Sequence, residues 1–226
     1  MPLRRSALLA VCASVVAAGP AAAAPTLAAL KPCYVSVRTA PKTFDTETVA
    51  ISGSGFTPNA SIDIAVDGAL VAAGVPADGA GNLPAGTVKA PVVRIGEKPF
   101  TVTATEQADP AQTASASSRV SELAVRVRPR TAAPRRRIRF AGAGFTSPGV
   151  PVYAHYVLQG ELRRTVRLVA QPSGACGTFA VRRPQFPFSP RTGRWTVQFD
   201  QRRPFTPDAP LVQISIDVKR VPRTRR

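Results

Sequence analysis

Apolar and polar residues alternate with period two along most of this chain. Val49 and Ile51, Ile62 and Ile64 against Ser61 and Asp63, and Phe100, Val102 and Ala104 against Thr101, Thr103 and Thr105 read as half-buried strands. Cys33 to Val37 opens the series. Leu123, Val125 and Val127 end its first half, with Arg126 and Arg128 facing outward. Ile138 and Phe140 begin a second half. There Val152 to Leu158, Leu162 to Val169, Phe179 with Val181, Trp195 with Val197 and Phe199, and Val212 to Val218 continue the alternation. Asp67-Gly68 and Gln159-Gly160-Glu161 are hairpin signals, and Asp78 to Asn82 is a turn rich in residues that tolerate positive φ. Gln107 to Ser118, small and polar, reads as a loop. No window carries a helical period, and 23 prolines weigh against long helices. The pattern predicts an all-β chain.

One motif occurs twice. Ile51-Ser52-Gly53-Ser54-Gly55-Phe56-Thr57-Pro58 returns 89 positions later as Phe140-Ala141-Gly142-Ala143-Gly144-Phe145-Thr146-Ser147-Pro148. In each copy a strand runs into two glycines and then into an aromatic able to plug a core. Gly174 to Gly177 holds the place of Gly79 to Gly81. One unit built twice predicts two tandem immunoglobulin-like antiparallel β-sandwiches after an N-terminal signal peptide. The expected division is a signal peptide over 1–24, a first sandwich over 31–128, a two-proline linker over 129–134, a second sandwich over 135–221 and a basic tail over 222–226.

The order strand, Gly-x-Gly-Phe-x-Pro, strand, Asp-Gly, strand, Asp-Gly-x-Gly-Asn resembles the bacterial immunoglobulin-like modules of the IPT/TIG kind. These occur in tandem on secreted and cell-surface proteins. The resemblance covers Cys33 to Val127 well. Over Arg135 to Val221 it is looser, because the second copy lacks the Asp-Gly hairpin and carries many arginines. It implies a fold and says almost nothing about activity.

Arg4 and Arg5, the apolar run Ala7 to Ala18 and the small residues Gly19 to Ala24 have the order of a secretory signal, with cleavage near Ala23 or Ala24. Gly19-Pro20 cuts the run below the length a bilayer span needs, and no later segment reaches it. The expected address is secreted, extracellular or cell-surface. Beyond this leader only Cys33 and Cys176 remain, and leftover thiols pair in an oxidising compartment. Pairing needs Cα atoms within about 7 Å. Halves lying side by side allow it, and halves stacked end to end do not.

Charge separates the halves. Pro25 to Ser118 holds six basic and eight acidic residues, net −2, whereas Arg119 to Arg226 holds 22 and five, net +17. Arginine outnumbers lysine 25 to 5, which a GC-rich genome would produce, but codon bias does not explain the asymmetry. Such a bias marks a surface for polyanions. Candidate anion-binding residues are Arg135, Arg137 and Arg139 on one strand face, Arg163, Arg164 and Arg167, and the pairs Arg182-Arg183 and Arg202-Arg203. Anionic cell-wall polymer, acidic polysaccharide and nucleic acid bound without sequence preference fit guanidinium forks. The competing reading is a solvated basic face on a structural or adhesive spacer whose sandwiches bind a partner protein.

Catalytic and metal chemistry find little support. His155 is the one histidine, no nucleophile elbow accompanies a Cys176-His155 pair, and Asp63 and Asp67 are too far apart on one strand for an intimate carboxylate pair. Asp78 to Asn82 offers a single carboxylate to a calcium ion. No catalytic residue, metal or cofactor is expected, and the chain reads as non-enzymatic. Phe179, Trp195 and Phe199 alternate as core residues. Tyr153 and His155 lie opposite the apolar Ala154 and Tyr156, which suggests a second buried surface between the halves.

Overall fold

A computed structural model describes residues 24–207 and 212–219. The leader expected over 1–24 falls outside them but for Ala24, as does the basic tail over 222–226. The described residues form sixteen strands and no helix. They are β1 (Thr26–Leu27), β2 (Tyr34–Arg38), β3 (Phe44–Thr46), β4 (Thr48–Ser54), β5 (Ser61–Val66), β6 (Ala69–Pro76), β7 (Leu83–Lys89), β8 (Glu97–Glu106), β9 (Thr113–Glu122) and β10 (Ala124–Arg128). There follow β11 (Arg137–Ala143), β12 (Val152–Leu158), β13 (Glu161–Val169), β14 (Phe179–Pro184), β15 (Gly193–Asp200) and β16 (Val212–Val218). Among the described residues no helix is long and apolar enough to cross a membrane.

Two hydrophobic cores result, each filled from two sheets. The first lies between β1-β4-β7 and the six-stranded sheet β3-β2-β9-β8-β5-β6. Val49, Ile51 and Leu83 enter from one side, and Ile62, Phe100, Val102 and Val120 from the other. The second lies between β10-β11-β14 and β13-β12-β15-β16, where Ile138, Phe140 and Phe179 meet Val152, Tyr156, Trp195, Val197 and Phe199. Phe186, which follows β14, joins Tyr156 and Trp195 at ring-centroid distances of 5.3 and 5.4 Å. Trp195, Phe179 and Phe199 are all buried, as their alternation predicts. All pairings are antiparallel except β2 with β9, which run parallel, so the sheets are not uniformly antiparallel as the hairpin signals suggest.

The repeated motif performs the same task in each half. Gly55 and Gly144 adopt φ 84° and 86°, and Phe56 and Phe145 are 4% and 3% exposed. The Phe56 N–H donates to the Gly81 carbonyl at 3.1 Å, and the Phe145 N–H donates to the Gly177 carbonyl at 3.2 Å. A Cβ on Gly81 would overlap the Phe56 carbonyl oxygen, and one on Gly177 would overlap that of Phe145. The support beneath is similar but shifted by one residue, since Thr57 corresponds to Thr146 in the repeat. The Thr57 N–H donates to the buried Glu106 carboxylate at 2.6 Å, and the Ser147 N–H donates to the Gln201 amide oxygen at 3.0 Å.

Three expectations need correction. Residues 107–118 are not all loop, since Thr113 to Ser118 belong to β9, in the interior of the six-stranded sheet. Ala114 and Val120 face the core, while Ser117 and Thr113 bond to Thr101 and Thr105 across the outer face, so small polar residues suffice for a strand laddered along β8 from Thr113 to Ser121. The strand containing Val125 and Val127 does not close the first half. It pairs with β11, and Val125 is buried in the second core. The stretch 129–134 is therefore the connection between antiparallel neighbours β10 and β11 rather than a linker between halves. The halves meet directly after Glu122 at the end of β9.

Cys33 and Cys176 form a disulfide with Cα atoms 5.1 Å apart. Cys176 immediately precedes the Gly177 that supports the second motif. That turn docks on the outer face of β2, with the Lys31 ammonium 3.4 Å from the Thr146 hydroxyl and Gly144 packed on the Leu123 backbone. The bond thus joins an end of one half to a face of the other, rather than two parallel flanks.

Candidate functional site

The outer face of β10-β11-β14 concentrates charge by register alone. Phe140 and Ile138 turn inward, so Arg137 and Arg139 must turn outward. Arg139 stands directly opposite Arg128 on β10 and Arg182 on β14. Three guanidinium-bearing residues therefore cross the sheet in one row, at a strand spacing of about 5 Å. Arg126 and Arg137 flank the row, and all five are exposed. Arg126 is neutralised by the Glu122 carboxylate at 2.6 Å, and Arg137 donates to the Arg182 carbonyl at 2.9 Å. Among the described residues Arg128, Arg139 and Arg182 have no acidic partner within salt-bridge distance.

The other candidates lie elsewhere. Arg135 donates to the Ser189 hydroxyl at 3.0 Å, at the rim of the sheet. Arg183 shares the inward phase of Ile138 yet is exposed. Arg163, Arg164 and Arg167 occupy β13, an edge of the opposite sheet. Arg163 pairs with Glu161, Arg164 lies over the Phe188 ring at 5.9 Å, and Arg167 faces Tyr153. Arg203 joins Arg167, Tyr153 and Thr165 around a hollow of about 570 Å3. Arg202 lines a different cavity of about 440 Å3, between Val35 and Glu47 of the first half and Thr146 and Phe199 of the second. The ten residues thus spread over two sheets of the second half, the rim at Ser189 and, for Arg202, the cavity between the halves. Arg128 completes the row with Arg126 beside it, and placing their strand in the first half hides both. Their alternation with Val125 and Val127 matches that of Arg137 and Arg139 with Ile138 and Phe140, the signature of antiparallel neighbours.

His155 is wholly buried, and the surface it shares with Tyr153 is covered by residues 201–207 rather than by the first half. Phe205 packs on its ring at 5.7 Å. Its Nε2 faces two acceptors, the Asp200 carboxylate at 3.2 Å and the Arg202 carbonyl at 3.1 Å, so Nε2 carries a proton, and Nδ1 is hydrogen-bonded to the Thr165 hydroxyl at 2.9 Å. Partial burial opposes ionisation of Asp200. Hydrogen bonds from His155, Gln198 and the Arg202 N–H outweigh it and hold the carboxyl below the ordinary range. Cys176 is committed to the disulfide, so no Cys176-His155 pair forms.

The carboxylates of the first half are likewise engaged. Asp78 accepts from the Asn82 N–H and side-chain amide and from the Ala80 N–H, and these bonds lower its pKa. Loss of some hydration opposes ionisation of the exposed Asp67, but Lys98 and the Thr101 N–H lower its pKa on balance. Asp63 accepts from the Gly74 N–H and from Gln107. Among the described residues no three His, Cys, Asp or Glu side chains gather as metal ligands would.

These features define an all-β protein with two disulfide-tethered cores, one of which carries an arginine-bearing sheet face. No family model matches the chain, and no curated protein matches it. Among solved structures the chain is similar to a tetra-tandem repeat in the extending region of a large adhesion protein, at 14% identity and a TM-score of 0.26. That match covers 86% of this chain and 49% of the other, so the chain spans about half the length of that structure.

Proposed function

We propose that this is an exported, non-enzymatic binding protein, built from immunoglobulin-like modules of the IPT/TIG kind, whose second half associates with anionic polymers at the cell surface or outside the cell. The row Arg128-Arg139-Arg182 carries the reading. Like charges directly opposed across a sheet cost up to about 1 kcal/mol per pair, and a polyanion laid over them removes that cost. Guanidinium forks suit phosphate and carboxylate, and among the described residues no element is shaped to read bases, so association is sequence-independent and salt-sensitive. The Cys33-Cys176 bond supports export, because disulfides persist in oxidising compartments. The test is retention on a heparin column at low salt by the full chain and by a triple Arg128, Arg139 and Arg182→Gln variant. Strong retention lost in the variant supports the reading, and absence of retention by the native chain ends it.

A second reading, a structural or adhesive spacer that binds a partner protein, rests on β6. This edge strand has no charged residue over Ala69–Pro76, and Leu70 and Val71 are 60% and 48% exposed. Uncharged exposed edges accept a further strand. Val71→Lys would abolish partner binding on this reading and leave heparin retention intact. Replacing Arg163, Arg164 and Arg167 by Gln would spare a spacer's partner.

A further inference from the structure

The second core has an open seam where the free edges of β10 and β16 approach each other. A hollow of about 540 Å3 runs along it between Arg126, Arg128 and Ile214. It continues into a cleft of about 660 Å3, with which it shares Arg130, Ser215 and Ile216. The cleft volume lies within the range of small-molecule sites. Its rim carries Arg130, Lys219 and Asp217, and Gln185 belongs to its lining.

Gln185 is the unusual member. It is 1% exposed, and its backbone is fully used: the N–H donates to the Arg136 carbonyl at 2.9 Å, and the carbonyl accepts from the Tyr156 hydroxyl at 3.0 Å. The side-chain amide is different. Neither Nε2 nor Oε1 has a hydrogen-bond partner among the described residues. An unpaired buried amide is destabilising, and an apolar residue of similar size would pack there without that cost. The fold alone gives no reason for an amide at this position.

We propose that the cleft holds one acidic sugar residue of an anionic polysaccharide, with the Gln185 amide on adjacent ring hydroxyls and the Arg130 guanidinium on the carboxylate. The inference rests on the polyanion reading above and narrows it. A primary amide presents a donor and an acceptor side by side, the complement of two neighbouring hydroxyls, each of which both donates and accepts. A polyphosphate chain offers acceptors only and leaves Oε1 unpaired. The arginine row then supplies charge-driven association, and the cleft supplies preference among polyanions. Because the amide atoms lie beneath the cleft surface, engagement requires the Gln185 side chain to become exposed to the cleft.

The experiment titrates the full chain with oligogalacturonate and with polyphosphate of equal charge at one low salt concentration, for the native protein, Gln185→Leu and Arg130→Gln. The proposal expects Gln185→Leu to weaken oligogalacturonate about tenfold and polyphosphate less than twofold, with an unchanged or raised melting temperature. Arg130→Gln, at an exposed position, should shift the two probes in the same unequal way and keeps the test decisive if Gln185→Leu misfolds. Equal binding of both probes, unaffected by either substitution, overturns the cleft assignment and leaves the polyanion reading standing. No binding of either probe by the native chain removes both.

Discussion

The two halves share their internal turn and differ on their outer sheets. Behind each Phe56 or Phe145 plug stands a positive-φ glycine and a second glycine pressed against the plug's own carbonyl. Outside, the first half faces solvent with threonine and serine pairs such as Thr101-Ser117 and Thr105-Thr113, which bond to each other at 3.1 Å. The second half presents Arg128, Arg139 and Arg182 in direct opposition. The interior of such a unit is therefore set by a few close-packed backbone positions, and its outer face is free to carry another chemistry. A row of opposed arginines does not help the sheet that bears it, and this is the ground for the proposed anionic partner.

The comparison can be broken at several points, of decreasing size. The tether is the largest. Replacing Cys33 and Cys176 by serine removes a crosslink spanning 143 residues and should cost roughly 4 to 5 kcal/mol, read as lost stability in chemical denaturation and reproduced by reducing the native protein. Gly81→Ala and Gly177→Ala should each cost about 3 kcal/mol, since both introduce a steric overlap at a positive φ. Clearly unequal losses would show that the two turns are not equivalent. Gly68→Ala, also at positive φ but with open space around it, should cost only about 2 kcal/mol.

Asp200 tests a feature found only in the second half. Asp200→Asn should cost about 1.5 kcal/mol at neutral pH through its bonds to His155, Gln198 and the Arg202 N–H. Its folded pKa lies below the unfolded one, so this stabilisation is complete above the ordinary carboxylate value and fades as pH falls below about 4. Melting temperatures of native and variant chains should therefore converge in acid. The smallest effects have opposite signs. Thr101→Ala should destabilise the first half by about 0.5 kcal/mol, and Arg139→Gln should stabilise the second by a similar amount.

Much of this architecture was readable because alternation and the glycine motif report packing directly. The second-half strands and both hairpin turns fall where alternation and the Asp-Gly and Gln-Gly signals put them, and Asp67 and Gln159 take positive φ. Residues 113–118 escaped because an interior strand made of alanine and serine has little hydrophobic contrast. The boundary was misplaced because Pro129 and Pro134 look like a linker, whereas ladder pairing of Val125 and Val127 with β11 depends on partners remote from any local signal. The disulfide was open in sequence, since Cα proximity depends on docking. The arginine row is partly visible in sequence: Arg139 and Arg182 stand out, but only the register brings Arg128 beside them. Gln185 carried no signal, because its burial is a tertiary property.

The most direct test is the salt dependence of polyphosphate binding by the full chain and the triple Arg128, Arg139 and Arg182→Gln variant. Each lost phosphate contact should lower the slope of log K against log salt by about one, so the account predicts a slope shallower by about three and weaker binding at low salt. An unchanged slope and affinity would contradict it.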